Sequence, residues 1–260
     1  MPALQTQTDA ALNRVPHIIF LYWVIKIAST TLGETGADMF SMTSHLGYAT
    51  TILIFLGLFA LLLGVKLAMR RYEPVTYWLT FTATAIAGTA ISDFIDRTLG
   101  LGYTEGSALL ITLLLLVLGA WYLWQGSVKV ERVTSGRAEL FYWLAFLIAN
   151  TLGTAAGDFV ADRLGLGFAD GAMLFTGSLV VIALLHTFTR VSGVLLFWLA
   201  FVLTRPFGAT FGDWLTKPQD HGGLALGTVG ASTVFMLILV AAVAREAYLE
   251  YSGRPIPELD

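Results

Sequence analysis

The chain contains no cysteine among its 260 residues. Disulfides and thiolate metal ligands are therefore excluded. Charge is also scarce: Asp, Glu, Lys and Arg make up 13% of the chain, against roughly 25% in a soluble domain. No stretch alternates apolar and polar residues over about ten positions, as a membrane barrel strand would; Leu109 to Leu118 is almost continuously apolar. The chain has no phosphate-binding loop, nucleophile elbow, His-Glu metal motif or dinucleotide fingerprint. Gly100-Leu101-Gly102 and Gly165-Leu166-Gly167 follow apolar stretches and read as turns. Nothing supports an enzyme, a nucleic-acid partner or direct use of ATP, and no permanently bound cofactor is expected. The first apolar stretch has no small-residue cleavage site, so it is not read as a cleavable signal peptide.

What is present is apolar length. Hydrophobic residues reach 56% and the mean hydropathy is +0.74. Stretches of about 20 apolar residues, enough to cross about 30 Å of hydrocarbon, fall near 17–42, 47–69, 75–97, 105–126, 138–162, 170–190, 193–216 and 223–248. The expected fold class is an all-α polytopic membrane protein of about eight transmembrane helices. The bilayer is then the first partner. The expected organisation is an N-terminal segment 1–16, a first half 17–126, a linker 127–139, a second half 140–250 and a tail 251–260. Ten basic residues lie on the even-loop side: Arg14, Lys66, Arg70, Arg71, Lys129, Arg132, Arg137, Arg190, Arg245 and Arg254. Three lie on the other, Arg97, Arg163 and Lys217. The positive-inside rule then places both termini in the cytoplasm.

One ruler recurs on the odd helices: an aromatic-Trp pair, a Gly ten residues after the Trp and an Asp fifteen after it. Its instances are Tyr22-Trp23/Gly33/Asp38, Tyr77-Trp78/Gly88/Asp93, Tyr142-Trp143/Gly153/Asp158 and Phe197-Trp198/Gly208/Asp213. Residues 77–103 and 142–168 match at 13 of 27 positions without a gap. Two helices per unit give all four repeats the same topology, so they are expected to surround a pseudo-symmetric axis along the membrane normal. The arrangement resembles a bacterial family of integral membrane proteins built from four two-helix repeats, each with an aromatic-Trp and Gly-Asp signature, known as a repeat of unknown function. The resemblance spans residues 20–250. It implies the repeat architecture and a place in the bacterial inner membrane.

Ionisable groups inside a membrane bundle point to ion or proton handling. Residues four apart share a helix face, which groups Thr30, Thr31 and Glu34 with Asp38, Thr89 with Asp93, Asn150, Thr151 and Thr154 with Asp158, and Arg205 with Asp213. Carboxylates, hydroxyls and amide oxygens are hard ligands suited to Mg²⁺, Ca²⁺, Mn²⁺ or Na⁺. The expected metal ligands are Glu34, Asp38, Asp93, Asp158 and Asp213, supported by Thr89, Asn150, Thr151 and Thr154. Lys26 and Arg205 break the symmetry and read as counter-ions or gating groups, and Pro206 marks a kink. This reading is of a secondary transporter of an inorganic cation such as Mn²⁺, with proton antiport open to crowded carboxylates. A multidrug-like exporter of organic cations or a non-transporting scaffold remains open, as does a homo-oligomer. The Trp residues read as an interfacial aromatic belt or as a cage for an organic cation. His45 and His221 fall in loops, where metal recruitment or pH sensing is possible; His17 and His186 read as interfacial.

Overall fold

The computed structural model describes residues 14–16, 18–69, 71–128 and 133–252. The expectations for His17, for the loop charges Arg70, Lys129, Arg132 and Arg254, and for segment 1–13 and the tail past 252 lie outside the described residues. Eight long helices appear among them: α1 Phe20–Asp38, α2 Gly47–Met69, α3 Pro74–Asp93, α4 Gly102–Gln125, α5 Gly136–Asp158, α6 Gly167–Phe188, α7 Gly193–Thr216 and α8 Thr228–Tyr251. No strand occurs among the described residues.

Local chemistry sets the ends. Pro74 opens α3, where its missing N–H costs nothing, and the Glu73 carboxylate accepts from the Val75 and Thr76 amides at 3.2 and 2.6 Å. Ser135 caps α5 through the Ala138 amide. After Asp38, Asp93 and Asp158 the helix widens into a π turn, Met39–Thr43, Phe94–Thr98 and Phe159–Arg163. In repeat four α7 instead stops at Thr216. Gly100 and Gly165 turn the chain with φ of +72° and +71°. His45 holds the equivalent position with φ +55°, so it is a turn residue in a conformation glycine adopts more easily.

The odd helices form a closed ring. α1 packs on α3, α3 on α5, α5 on α7 and α7 on α1. The even helices lie outside, each against the first helix of the following repeat: α2 on α3, α4 on α5, α6 on α7 and α8 on α1. A single repeat therefore cannot bury its own faces, as in other repeat architectures. α2 buries only Thr51, Phe55 and Lys66 of its 23 residues, whereas α3 buries most of its length. Seven helices are long and apolar enough to cross a membrane. The eighth, α1, carries Lys26, Glu34 and Asp38 and is buried from Ala28 to Asp38. The chain is an all-helical membrane protein with four parallel two-helix repeats around one axis.

The ruler's glycines explain how tightly the ring closes. Each meets the residue seven positions after the Trp of the next helix. A methyl group on Gly33 would lie 2.6 Å from Ala85 Cβ, one on Gly88 3.0 Å from Asn150 Cβ, and one on Gly208 2.7 Å from Thr30 Oγ1. Gly153 makes the same approach to the Arg205 stem. Small residues at such crossings let membrane helices pack backbone to backbone.

At the Trp end, Glu139 of α5 is fully buried between two cations. Arg14 Nη1 lies 2.8 Å from it and Lys66 Nζ 3.5 Å, and Lys66 also donates to the Arg14 carbonyl. Arg14 and Lys66, counted above as loop charges, are thus buried packing partners. In the same region Glu246 of α8 accepts from the Tyr72 hydroxyl and the Trp78 indole, each at 2.6 Å.

Candidate functional site along the bundle axis

The ring places equivalent residues of the four odd helices in layers, four residues or about 6 Å apart along each helix. The first layer holds Tyr22, Tyr77, Tyr142 and Phe197. The hydroxyls of Tyr77 and Tyr142 are hydrogen-bonded between the neighbouring helices α3 and α5. Trp78 and Trp143 pack beside these rings with about 1% or less of their surface exposed, so they are core residues. That corrects the belt reading for these two, because at a crowded ring the indole faces its neighbours and leaves the lipid face to other residues.

The second layer holds Lys26 with Phe81, Phe146 and Phe201. Phe146 stacks near Phe201 at 4.5 Å and Phe81 at 5.5 Å between centroids. The Lys26 ammonium sits 3.8 Å from the Phe201 ring centre and donates to Phe201 O at 2.9 Å and Thr204 Oγ1 at 2.6 Å. No carboxylate lies within ion-pair distance of it among the described residues. Lys26 is therefore not a counter-ion of the carboxylates; its charge faces aromatic rings and neutral oxygens, a cation–π arrangement.

The third layer is Thr30, Ala85, Asn150 and Arg205. The Arg205 guanidinium crosses to all three other helices and donates to the carbonyls of Thr30, Ala85 and Asn150 at 3.0, 3.2 and 3.1 Å. The fourth layer, one turn on, is Glu34, Thr89, Thr154 and Ala209. Arg205 bonds the hydroxyls of Thr89 and Thr154, and Glu34 Oε2 lies 3.6 Å from its Nη1. Glu34 also accepts from Thr89 at 3.1 Å and Thr154 at 3.4 Å. Arg205 thus meets Glu34 of the neighbouring helix α1 directly. The Asn150 amide donates to Thr84 Oγ1, and Thr151 bonds the Leu147 carbonyl of its own helix. Thr151 stands eight residues after Trp143, one position past the third layer, and so lies outside the axial set.

The fifth layer brings Asp38, Asp93, Asp158 and Asp213 to one depth, each 2–3% exposed. Two cations from the turn beyond divide them into pairs. Lys217 Nζ lies 2.7 Å from Asp38 and 3.0 Å from Asp213. Arg97 lies 3.3 Å from Asp93 and 3.4 Å from Asp158. Both cations stand nineteen residues after the Trp of their repeat, four after its Asp. That one-turn spacing was the available signal for them; the sequence ruler stopped at the Asp. The Lys217 side chain remains 22% exposed and that of Arg97 35%. Burial alone would lower the Lys217 ammonium, but Asp213 and Asp38 outweigh it and hold it above the usual lysine range.

The five expected metal ligands do not meet at one point here. Among the described residues no three Asp, Glu or His side chains converge closely enough to hold a metal ion. The reason is visible: Lys217 and Arg97 stand between the aspartates, and Glu34, one turn earlier on α1, faces Arg205. The axial column carries five carboxylates and four cationic side chains, Lys26, Arg205, Arg97 and Lys217. Buried charges persist only when paired and hydrogen-bonded, and here three of the four cations meet carboxylates directly.

No curated protein and no solved structure matches the chain. A family model does, in four consecutive segments: residues 21–72, 76–127, 141–192 and 196–250. Each segment begins one residue before its aromatic-Trp pair; the first three end beyond the even helix that follows, and the fourth ends at residue 250, one residue short of the end of α8. The chain belongs to the family described as Repeat of Unknown Function (DUF347).

Proposed function

We propose that this protein is a secondary transporter of a small inorganic cation, with the four-aspartate layer as its binding site. The observation that carries this reading is the pairing of four buried, symmetry-equivalent aspartates with two part-exposed cationic side chains that reach them from the far turn. A scaffold needs no ionisable group at this depth, since each is costly in hydrocarbon. Five carboxylates against four cations leave one negative charge that a proton or a metal ion completes. Withdrawal of Lys217 or Arg97 frees a pair of carboxylates on adjacent helices, and an incoming cation replaces the lost positive charge. The side chains are then competitors of the substrate, and their return favours its release.

Hard oxygen donors fit a divalent ion such as Mn²⁺, and exchange of that ion against protons gives antiport. The basic-residue bias supports cytoplasmic termini, and with a bacterial inner membrane as the setting the aspartate layer lies toward the outer face. An organic-cation exporter gains less support, because the aromatic rings of the second layer are already taken by Lys26. The test is flux into proteoliposomes holding a metal-sensitive dye, with and without a pH gradient. Wild type should move Mn²⁺ and acidify or alkalinise the lumen in step, while Asp93→Ala and Asp158→Ala should lose flux and keep their expression level. Undiminished flux in both variants refutes the assignment of the site.

A further inference from the structure

Six oxygens surround the Arg205 guanidinium, and they come as three equivalent pairs. α1 supplies the Thr30 carbonyl and the Glu34 carboxylate, α3 the Ala85 carbonyl and the Thr89 hydroxyl, α5 the Asn150 carbonyl and the Thr154 hydroxyl. In each pair the carbonyl stands seven residues past the Trp and the side-chain oxygen eleven past it. α7 contributes no oxygen: its residues at these positions are Arg205 itself and Ala209. A helical carbonyl has a second lone pair beyond the one that the amide four residues on uses, so the three main-chain oxygens that meet the three guanidinium nitrogens are available without unwinding any helix. Six hard oxygens with one carboxylate make a donor set for a hexacoordinate cation.

We infer that this six-oxygen cage is a second cation site on the axis, one turn from the aspartate layer, which Arg205 fills as a tethered cation and which a free hard cation takes when Arg205 withdraws. The sequence supplies the means of withdrawal next door. Pro206 sits inside α7 and has no N–H to give to the carbonyl four residues back, so the helix is weakened where Arg205 is attached. Gly153 faces the Arg205 stem with no side chain of its own, leaving a track along which the stem can slide. Filled by Arg205, the column admits no cation between its acidic and aromatic halves; emptied, it offers the next site along the path. The cage itself stands on its own geometry, and only its place in a transport path rests on the reading above.

The test uses the full-length protein in detergent and reads thermal stability. Arg205→Ala should melt below wild type. Guanidinium chloride at low millimolar concentration should raise its melting temperature by roughly 3 °C, with urea at the same concentration as the control that does nothing. In an Asp93→Asn background, which removes the response of the aspartate layer, Na⁺ or Mn²⁺ should act on the variant in the same sense, and adding Thr89→Val should abolish all of these responses. If Arg205→Ala does not fold, Arg205→Lys carries the same test, since a single ammonium leaves part of the cage unfilled. A folded variant indifferent to guanidinium, Na⁺ and Mn²⁺ overturns the inference. Asp93→Asn separates it from the transport reading: that change should remove the Mn²⁺ response of the wild-type protein and leave the guanidinium response of Arg205→Ala intact.

Discussion

The Lys217 ammonium lies 2.7 Å from the Asp38 carboxylate, a residue 179 positions earlier and in the first of the four repeats. With its second contact to Asp213, it closes the seam between the last repeat and the first. Arg97 does the same between repeats two and three. On the proposed function both are internal stand-ins for a bound cation, and several consequences can be measured.

Replacing Lys217 by Met should lower stability and strengthen cation binding together. Removing one partner of a fully buried pair costs about 3–5 kcal/mol; with Lys217 partly exposed the loss should be smaller, roughly 1–3 kcal/mol. Titration with Mn²⁺ should show a tighter midpoint than wild type and slower flux, because the competitor that drives release is gone.

The pH dependence of that pair has a definite sign. A lysine raised above its unfolded value contributes stability that is complete below about pH 10.4 and is lost as pH climbs through the folded value. The lysine itself stays charged from pH 6 to pH 9, so Lys217→Met should destabilise less at pH 6 than at pH 9, because the aspartates left without it can take up a proton in its place. Melting curves at the two pH values check it.

Glu73 behaves in the opposite sense. Burial pushes it up, but hydrogen bonds from Thr76 and Tyr251 and from the Thr76 and Val75 amides win, and its carboxyl is held below the usual range. Its contribution is present above about pH 4.3 and is lost as pH falls through the folded value. Glu73→Ala should cost about 1 kcal/mol at neutral pH through the lost cap, and the gap from wild type should narrow toward pH 3.5.

The ring glycines should tolerate no methyl group. Gly33→Ala and Gly88→Ala force α1 from α3 and α3 from α5, at about 1–3 kcal/mol each. Gly57→Ala and Gly119→Ala add a methyl into open space on outer helices and should be neutral or slightly stabilising. Parallel melting curves separate the two pairs.

Much of this architecture was legible in the sequence. The eight helices follow from apolar length, and the ring follows from a ruler that repeats Trp, Gly and Asp at fixed offsets on every odd helix. Glu34, Thr89, Thr154 and Arg205 were grouped correctly near the axis because residues four apart share a face. What stayed hidden depends on which helix is the neighbour. Nothing in the order of the helices says that α2 leaves its own repeat to pack on α3, or that Lys26 meets Phe201 rather than Glu34. Arg97 and Lys217 were read as loop charges because they lie at the membrane-facing end of each apolar stretch, although each is one turn from its Asp. Thr151 was assigned to the axial face on its spacing from Asp158, but it stands one position past the layer that Asn150 fills.

The most direct measurement is the melting temperature of the purified protein against Mn²⁺, Mg²⁺, Ca²⁺, Zn²⁺ and Na⁺, with wild type beside Asp93→Asn and Asp158→Asn. A ligand that binds the folded state raises the melting temperature with its concentration. A selective rise in wild type that both variants lose is the expected result. No rise with any ion, from variants that fold as wild type does, would contradict the aspartate layer as a cation site.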